Sequence, residues 1–270
     1  MLDWPDWLQC GTTVESWSHC VTRSSQARTT RHNNHCRSPA GSVDCSGVTL
    51  VPMKRLIIAI DGPSGAGKGT ISRQLSQALG YRHVDTGAMY RAVGWKAHYE
   101  GIPLDDEPAV AALARRADLV VEGGIVSIDG HDVTRAIRTP EIDVVATSVA
   151  RLPMVRAVLV ARQREIGAAG GVVMEGRDIG TVVFPEADVK VYLDASAEER
   201  ARRRASDPAH TGSQAGQAAV AEAIQARDRS DTTRAVSPLT LAPDAVHIDT
   251  TGMPVEQVVA RVMELVKART

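Results

Sequence analysis

The sequence predicts an α/β domain in which a central parallel sheet is covered by helices on both faces. Three observations lead there. Short apolar runs at 55–62 (RLIIAIDG), 171–180 (GVVMEGRDIG) and 187–196 (ADVKVYLDAS) stop at glycine or charged residues. That is how strands buried on both faces read when their C-terminal ends carry a site. Segments of helical period lie between them, and alternation of the two kinds builds a sheet by crossover connections. At 270 residues and 43% hydrophobic, the chain has enough apolar material for one large domain with its own core.

The first strand runs into GPSGAGKGT, residues 62–70. After the glycines, KGTISRQLSQALG places Ile71, Leu75, Ala78 and Leu79 on one helical face, and Gly80 suits the C-terminal cap. Strand, glycine loop and helix together form a phosphate loop: backbone N–H groups and the positive end of the helix favour a triphosphate tail. Lys68 would reach the outer phosphates. Gly69 stands where the usual motif has a hydroxyl, which comes one residue later at Thr70. Mg²⁺ is therefore expected to be held mainly by the phosphates and water, with no set of protein ligands.

Further along, DTGAMYRAVGWKAHYE within 84–100 reads as a strand end and a helix, and 110–121 as another helix. LVVEGGIVSIDGHDVTRAI reads as small antiparallel strands turned at Gly123-Gly124 and Asp129-Gly130. Helices are predicted at about 140–150 and 154–168, the second opening after Pro153, and again in AEERARRRA. SDPAHTGSQAGQ, 206–217, has the composition of a mobile loop. A helix over 218–231, a short strand AVHID and a final helix from Pro254 close the domain. That last helix presents Val255, Val258, Val259, Val262, Leu265 and Val266 on one side.

A formal charge of −1 and a pI near 6.7 argue against a nucleic-acid or membrane-surface binder. No run reaches the roughly 18 apolar residues of a membrane span, and the first 30 residues lack the apolar core of a secretory signal. A soluble cytoplasmic protein is expected. Cys10, Cys20, Cys36 and Cys45 lie near His19, His32 and His35, but the gaps are wide and irregular rather than CxxC-like. No metal site is expected there. The polar tract around them reads as disordered, so residues 1–52 are set apart as an extension and 53–270 as the domain. Met53 is an alternative initiator.

The segments IDGPSGAGKGT, DTGAMYR, DVTRAIRTPEID, GRDIGTVVFPEADVKVYLDAS and ARDRSDTTRAVSPL occur in an order and spacing that closely resemble bacterial cytidylate kinases, which are P-loop nucleoside monophosphate kinases. The resemblance runs from about residue 55 to the C-terminus. It implies a three-layer P-loop fold with a small β-containing acceptor-binding insert at about 119–150 and a mobile lid at about 200–217. It further implies a monomer that uses ATP to phosphorylate CMP and dCMP in pyrimidine nucleotide metabolism. The competing readings are another small P-loop kinase, against which GRDIG and RDRSDTTR argue, and a nucleotide switch, whose guanine-reading NKxD segment is missing.

Transfer between two anionic reagents requires neutralised charge and alignment. An already ionised acceptor oxygen needs no strong base, in keeping with the lack of an obvious catalytic triad. By resemblance Arg91, Arg177 and Arg234 clamp the acceptor phosphate with planar forks and act with Lys68. ATP is expected on Gly62, Pro63, Ser64, Gly65, Ala66, Gly67, Lys68, Gly69 and Thr70, with Arg200 and Arg204 of the lid preferred to Arg203. Asp178 would accept from the exocyclic amine of cytosine and repel the carbonyl of uracil. An unpaired buried polar group costs roughly 1–3 kcal/mol, or about tenfold to a hundredfold preference. Arg156 and Thr147, with adjacent Ser148 as the other register, complete the base pocket. Arg227 and Asp231, four apart on one helical face, are expected at the ribose, and Thr86 and Tyr90 line the same pocket. Asp85 either caps the following helix or organises water around magnesium.

Overall fold

The computed structural model describes residues 55–207 and 217–270. The disorder predicted for 1–52 lies outside these residues, as does all but the ends of the loop predicted at 206–217. The chain runs β1 (Ile57–Asp61), α1 (Lys68–Leu79), β2 (Arg82–Asp85), α2 (Thr86–Tyr99) and α3 (Glu107–Arg116). A small β unit follows: β3 (Leu119–Glu122), β4 (Ile125–Ile128) and β5 (His131–Asp132). Then come α4 (Pro140–Val149), α5 (Pro153–Gly167), β6 (Val172–Glu175), a π-helical turn at Ile179–Val183, and β7 (Val189–Asp194). The chain closes with α6 (Ala197–Ala205), α7 (Gln217–Thr233), β8 (Val246–Asp249) and α8 (Val255–Lys267).

The main sheet has the order β2-β6-β1-β7-β8, and every pairing in it is parallel. β1 is central because its residues are apolar towards both faces: Ile58, Ala59 and Ile60 are fully buried. On one face Ile58 and Ile60 pack with Ile71 and Leu75 of α1 and Val258, Val262 and Val266 of α8. On the other, Ala59 meets Val84, Met174 and Val160 of α5. Burying each such side chain contributes about 1.5–3 kcal/mol. The parallel α/β architecture read from the sequence is therefore present, with β6 and β7 flanking β1 and opening a crevice at their C-terminal ends.

Two predicted boundaries move. The helix expected over 110–121 ends at Arg116, where Ala117 turns extended (φ −63°, ψ 136°). Leu119–Glu122 forms the first of the small antiparallel strands expected from LVVEGGIVSIDG, paired with β4 through a hairpin at Gly123 (φ 60°) and Gly124 (φ 86°). Cross-strand pairing outweighs local helix propensity here. The strand expected to run to Gly180 stops at Glu175, because Asp61 captures the N–H groups of Ile179 and Gly180 at 2.8 and 2.7 Å and winds the chain into the π turn. Among the described residues no single helix is long and apolar enough to cross a membrane.

Candidate active site

The phosphate loop leaves β1 through Gly62, whose φ of 144° and an added Cβ only 2.0 Å from the Leu193 carbonyl oxygen admit glycine alone. Gly67, at φ 90°, is the N-cap of α1, so the backbone at the head of that helix is turned towards the cleft. Lys68 folds back and donates from Nζ to the Pro63 carbonyl at 2.7 Å. Burial, reinforced by the charge of Arg177, pushes its ammonium down to about 7.

This loop forms the floor of a cleft of about 610 Å³ walled by Arg91, Arg177, Arg203, Arg204 and Arg227. A groove of similar volume, about 610 Å³, runs between α4 and α7, and Ser64, Arg204 and Arg227 line both spaces. The two chambers thus meet at a pair of guanidinium groups beside the loop.

Carboxylates hold the arginines in place. Arg91 donates to Asp85 at 2.8 Å, and Asp85 also caps α2 through the Ala88 N–H at 3.0 Å. Burial alone would raise the Asp85 carboxyl, but the charges of Arg91 and Arg138 hold it at about 2. Arg177 donates from Nε to Asp231 at 2.8 Å. Arg156 bonds Asp178, Arg234 lies 3.5 Å from the same carboxylate, and the Arg156 guanidinium stacks over Tyr90 at 5.5 Å. Buried donors without a hydrogen-bond partner remain on Arg91, Arg156, Arg227 (each Nε) and Arg234 (Nη2). Native proteins rarely leave such groups unmet; Arg91 and Arg227 also line the cleft, where an acceptor-rich ligand fits.

A family model described as Cytidylate kinase matches residues 58–268. The chain belongs to the cytidylate kinase family. Its relatives include a cytidylate kinase of Solibacter usitatus, 46% identical over 80% of this chain and 94% of that one. Another, of Pelotomaculum thermopropionicum, is 50% identical over 78% and 96%. A third, of Geobacillus kaustophilus, is 46% identical over 80% and 98%. The family resemblance read from the motifs is thereby shown across nearly the whole length of these relatives.

In this cytidylate kinase-family chain, Arg91, Arg177 and Lys68 line one cleft, and Arg234 does not. Ser64 through Thr70 line it too; Gly62 and Pro63 shape the loop from behind. Thr86 donates to the Glu175 carbonyl at 2.7 Å. Thr147 and Ser148 both face the α4/α7 groove, with their hydroxyls bonded back to Asp143 and Val144 carbonyls. Asp178, Arg156 and Arg234 form a buried cluster that lines neither chamber. Arg227 and Asp231 share a helix as predicted, but Arg227 bonds Asp143 and Asp231 bonds Arg177.

Arg200 departs from expectation. Its side chain is buried, donating to the carbonyls of Ala195 and Ser64 at 3.0 and 3.1 Å and pairing with Asp228, so it props the loop from beneath and does not line the cleft. Arg203, ranked below it, lines the cleft instead, held by Thr250 at 2.9 Å. The i,i+4 spacing correctly placed Arg200 and Arg204 on neighbouring turns; it said nothing about which turn α7 covers.

Glu175 and His83 were not singled out from the sequence. They bond each other at 2.8 Å, Glu175 buried and His83 partly so, and the Glu175 carboxylate lies 3.4 Å from where a Cβ of Gly69 would stand. The available signal was an acid ending the apolar run of β6, next to the strand that feeds the loop.

Proposed function

We propose that this protein transfers the terminal phosphoryl group of ATP directly to CMP and dCMP, yielding ADP with CDP or dCDP. The observation that carries this reading is the convergence of Arg91, Arg177 and Arg227 on the cleft floored by the phosphate loop, with buried Nε donors of Arg91 and Arg227 left without a hydrogen-bond partner. ATP lies with its phosphates on the loop and against Lys68, Arg203 and Arg204. The acceptor's nucleoside enters by the α4/α7 groove and parts the buried Asp178–Arg156–Arg234 cluster, and its phosphate meets Arg91, Arg177 and Arg234. Moving charge between two polyanions is then a matter of alignment and preorganised cations, with no proton acceptor required.

Asp178 reads the base. In the free protein its carboxylate is spent on Arg156 and Arg234; cytosine offers an amine to that carboxylate, and uracil offers a carbonyl. Asp231 and Arg227 take the ribose, with Thr86, Tyr90 and Thr147 around them. The β unit and α4 form the acceptor-binding insert, and α6 belongs to a lid that excludes water from the cleft. The protein works as a monomer.

Magnesium fits this site as a phosphate-bound ion. Among the described residues no three His, Cys, Asp or Glu side chains gather to form a cage, and the carboxylates of Asp85 and Glu175 beside the cleft are engaged by Arg91 and His83. Those two acids, with the Thr70 hydroxyl, would order its water shell, and the ion would neutralise charge on the phosphates.

The test is ADP release from Mg·ATP with CMP, dCMP, UMP, AMP or no acceptor, for the wild type and Asp178→Asn. Turnover is expected with CMP and dCMP, and the mutant should narrow the preference for CMP over UMP by about tenfold to a hundredfold. ADP release that is equal with and without acceptor would overturn the reading.

A further inference from the structure

Asp143 has no role in the reading above, yet its carboxylate joins three elements. From α4 it bonds Arg204 of α6 through Oδ2 and Arg227 of α7 through Oδ1, the latter at 2.9 Å. The three side chains are only 14–20% exposed, so the pairs are well shielded from solvent screening. Arg204 also feels the charges of Arg227 and Arg91. Without an anion between them, these guanidinium groups would repel.

Position gives the carboxylate its meaning. Arg204 and Arg227 line both chambers, whereas Asp143 lines only the α4/α7 groove. It therefore grips from the groove side two arginines that also line the phosphate cleft. At the outer end of the same groove a second link, Arg151 to Ser230 at 3.2 Å, also spans α4 and α7. The inner link is the charged one.

We propose that Asp143 is a positioning residue that couples occupancy of the acceptor groove to occupancy of the phosphate cleft, an inference that rests on the two-chamber reading above. A phosphate that draws Arg204 and Arg227 into the cleft draws Asp143 and α4 with them and narrows the groove. A nucleoside that seats α4 against α7 presents both guanidinium groups to the cleft. Such coupling is reciprocal: each ligand strengthens the other by the same factor.

Calorimetric titration of CMP with and without a Mg-bound, non-hydrolysable ATP analogue, and the reverse pair, measures that factor in the full chain. The wild type is expected to show a coupling of about fivefold or more. Asp143→Asn should bring it to within about twofold of unity, and Asp143→Glu, which keeps the charge, should retain most of it. Asp143→Ala is the second removal variant, and circular dichroism identifies a variant that fails to fold. A merely structural role would weaken each ligand separately and leave the factor unchanged, and that result overturns the proposal. So does an uncoupled wild type. Failure of the wild type to bind CMP at all would instead overturn the function proposed above.

Discussion

Asp61 ends β1 only 5% exposed, with both carboxylate oxygens accepting backbone N–H groups of the π turn. Burial raises its pKa from 3.8 to about 6; the two N–H bonds oppose the rise and nearby Asp178 adds to it. The folded state thus binds a proton more tightly than the unfolded chain. The resulting stability is fully present below the unfolded value of 3.8 and is lost as pH rises through about 6. At about 1.36 kcal/mol per tenfold change in proton affinity, the whole contribution is about 3 kcal/mol. Between about pH 4.5 and 7.5 the loss is about 2 kcal/mol. Asp61→Asn removes the titration and turns an amide N–H₂ towards one of the two backbone donors, a pH-independent cost of about 1–3 kcal/mol. Urea unfolding of both proteins at the two pH values isolates Asp61, since groups outside its reach cancel in the comparison. The wild type should lose about 2 kcal/mol relative to the variant on going to the higher pH. A difference between the proteins that stays constant within about 0.5 kcal/mol would refute the assignment. The same experiment bears on function, because the turn held by Asp61 directly follows Arg177 and Asp178.

Two further predictions concern the loop. Lys68, pushed down from 10.5 to about 7 in the free protein, regains its charge beside phosphates, so nucleotide binding near pH 8 should take up about one proton from solution at this group and weaken as pH rises above 7. Calorimetry in two buffers of different ionisation enthalpy reads the uptake; if Lys68→Met takes up as much as the wild type, the lysine is not its source. Gly62→Ala forces a side chain into a backbone carbonyl at a left-handed φ, which should cost at least about 3 kcal/mol and lower Tm by about 6 °C or more. A fall of less than about 3 °C in differential scanning fluorimetry would show that the β1–loop junction relaxes far more readily than its contacts suggest.

How much of this was legible in the sequence depends on how far apart the partners lie. The strand, glycine loop and α1 are local: Ile58 and Ile60 repeat with period two, Ile71 and Leu75 with period four, and Gly80 closes the helix at φ 65°. The end of α3 was set too late because the helix reading overlapped the hairpin reading at 119–121, where the local pairing of Leu119 with Ile128 prevails; the end of β6 was misplaced because Ile179 answers to Asp61, 118 residues away. The site follows the same division. Its arginines and acids were visible as residue types in distinctive motifs, but their pairing was not. Arg156 finds Asp178 at a separation of 22 residues, Arg177 finds Asp231 at 54 and Arg227 finds Asp143 at 84. Only one of those acids, Asp143, stands outside every segment used to infer a substrate contact, although it lies within the motif DVTRAIRTPEID. A local reading sees it as an acid in the first turns of a helix, where it needs no further explanation. The fold gives it two cationic partners from a different part of the chain, and that is why its role becomes visible only in three dimensions.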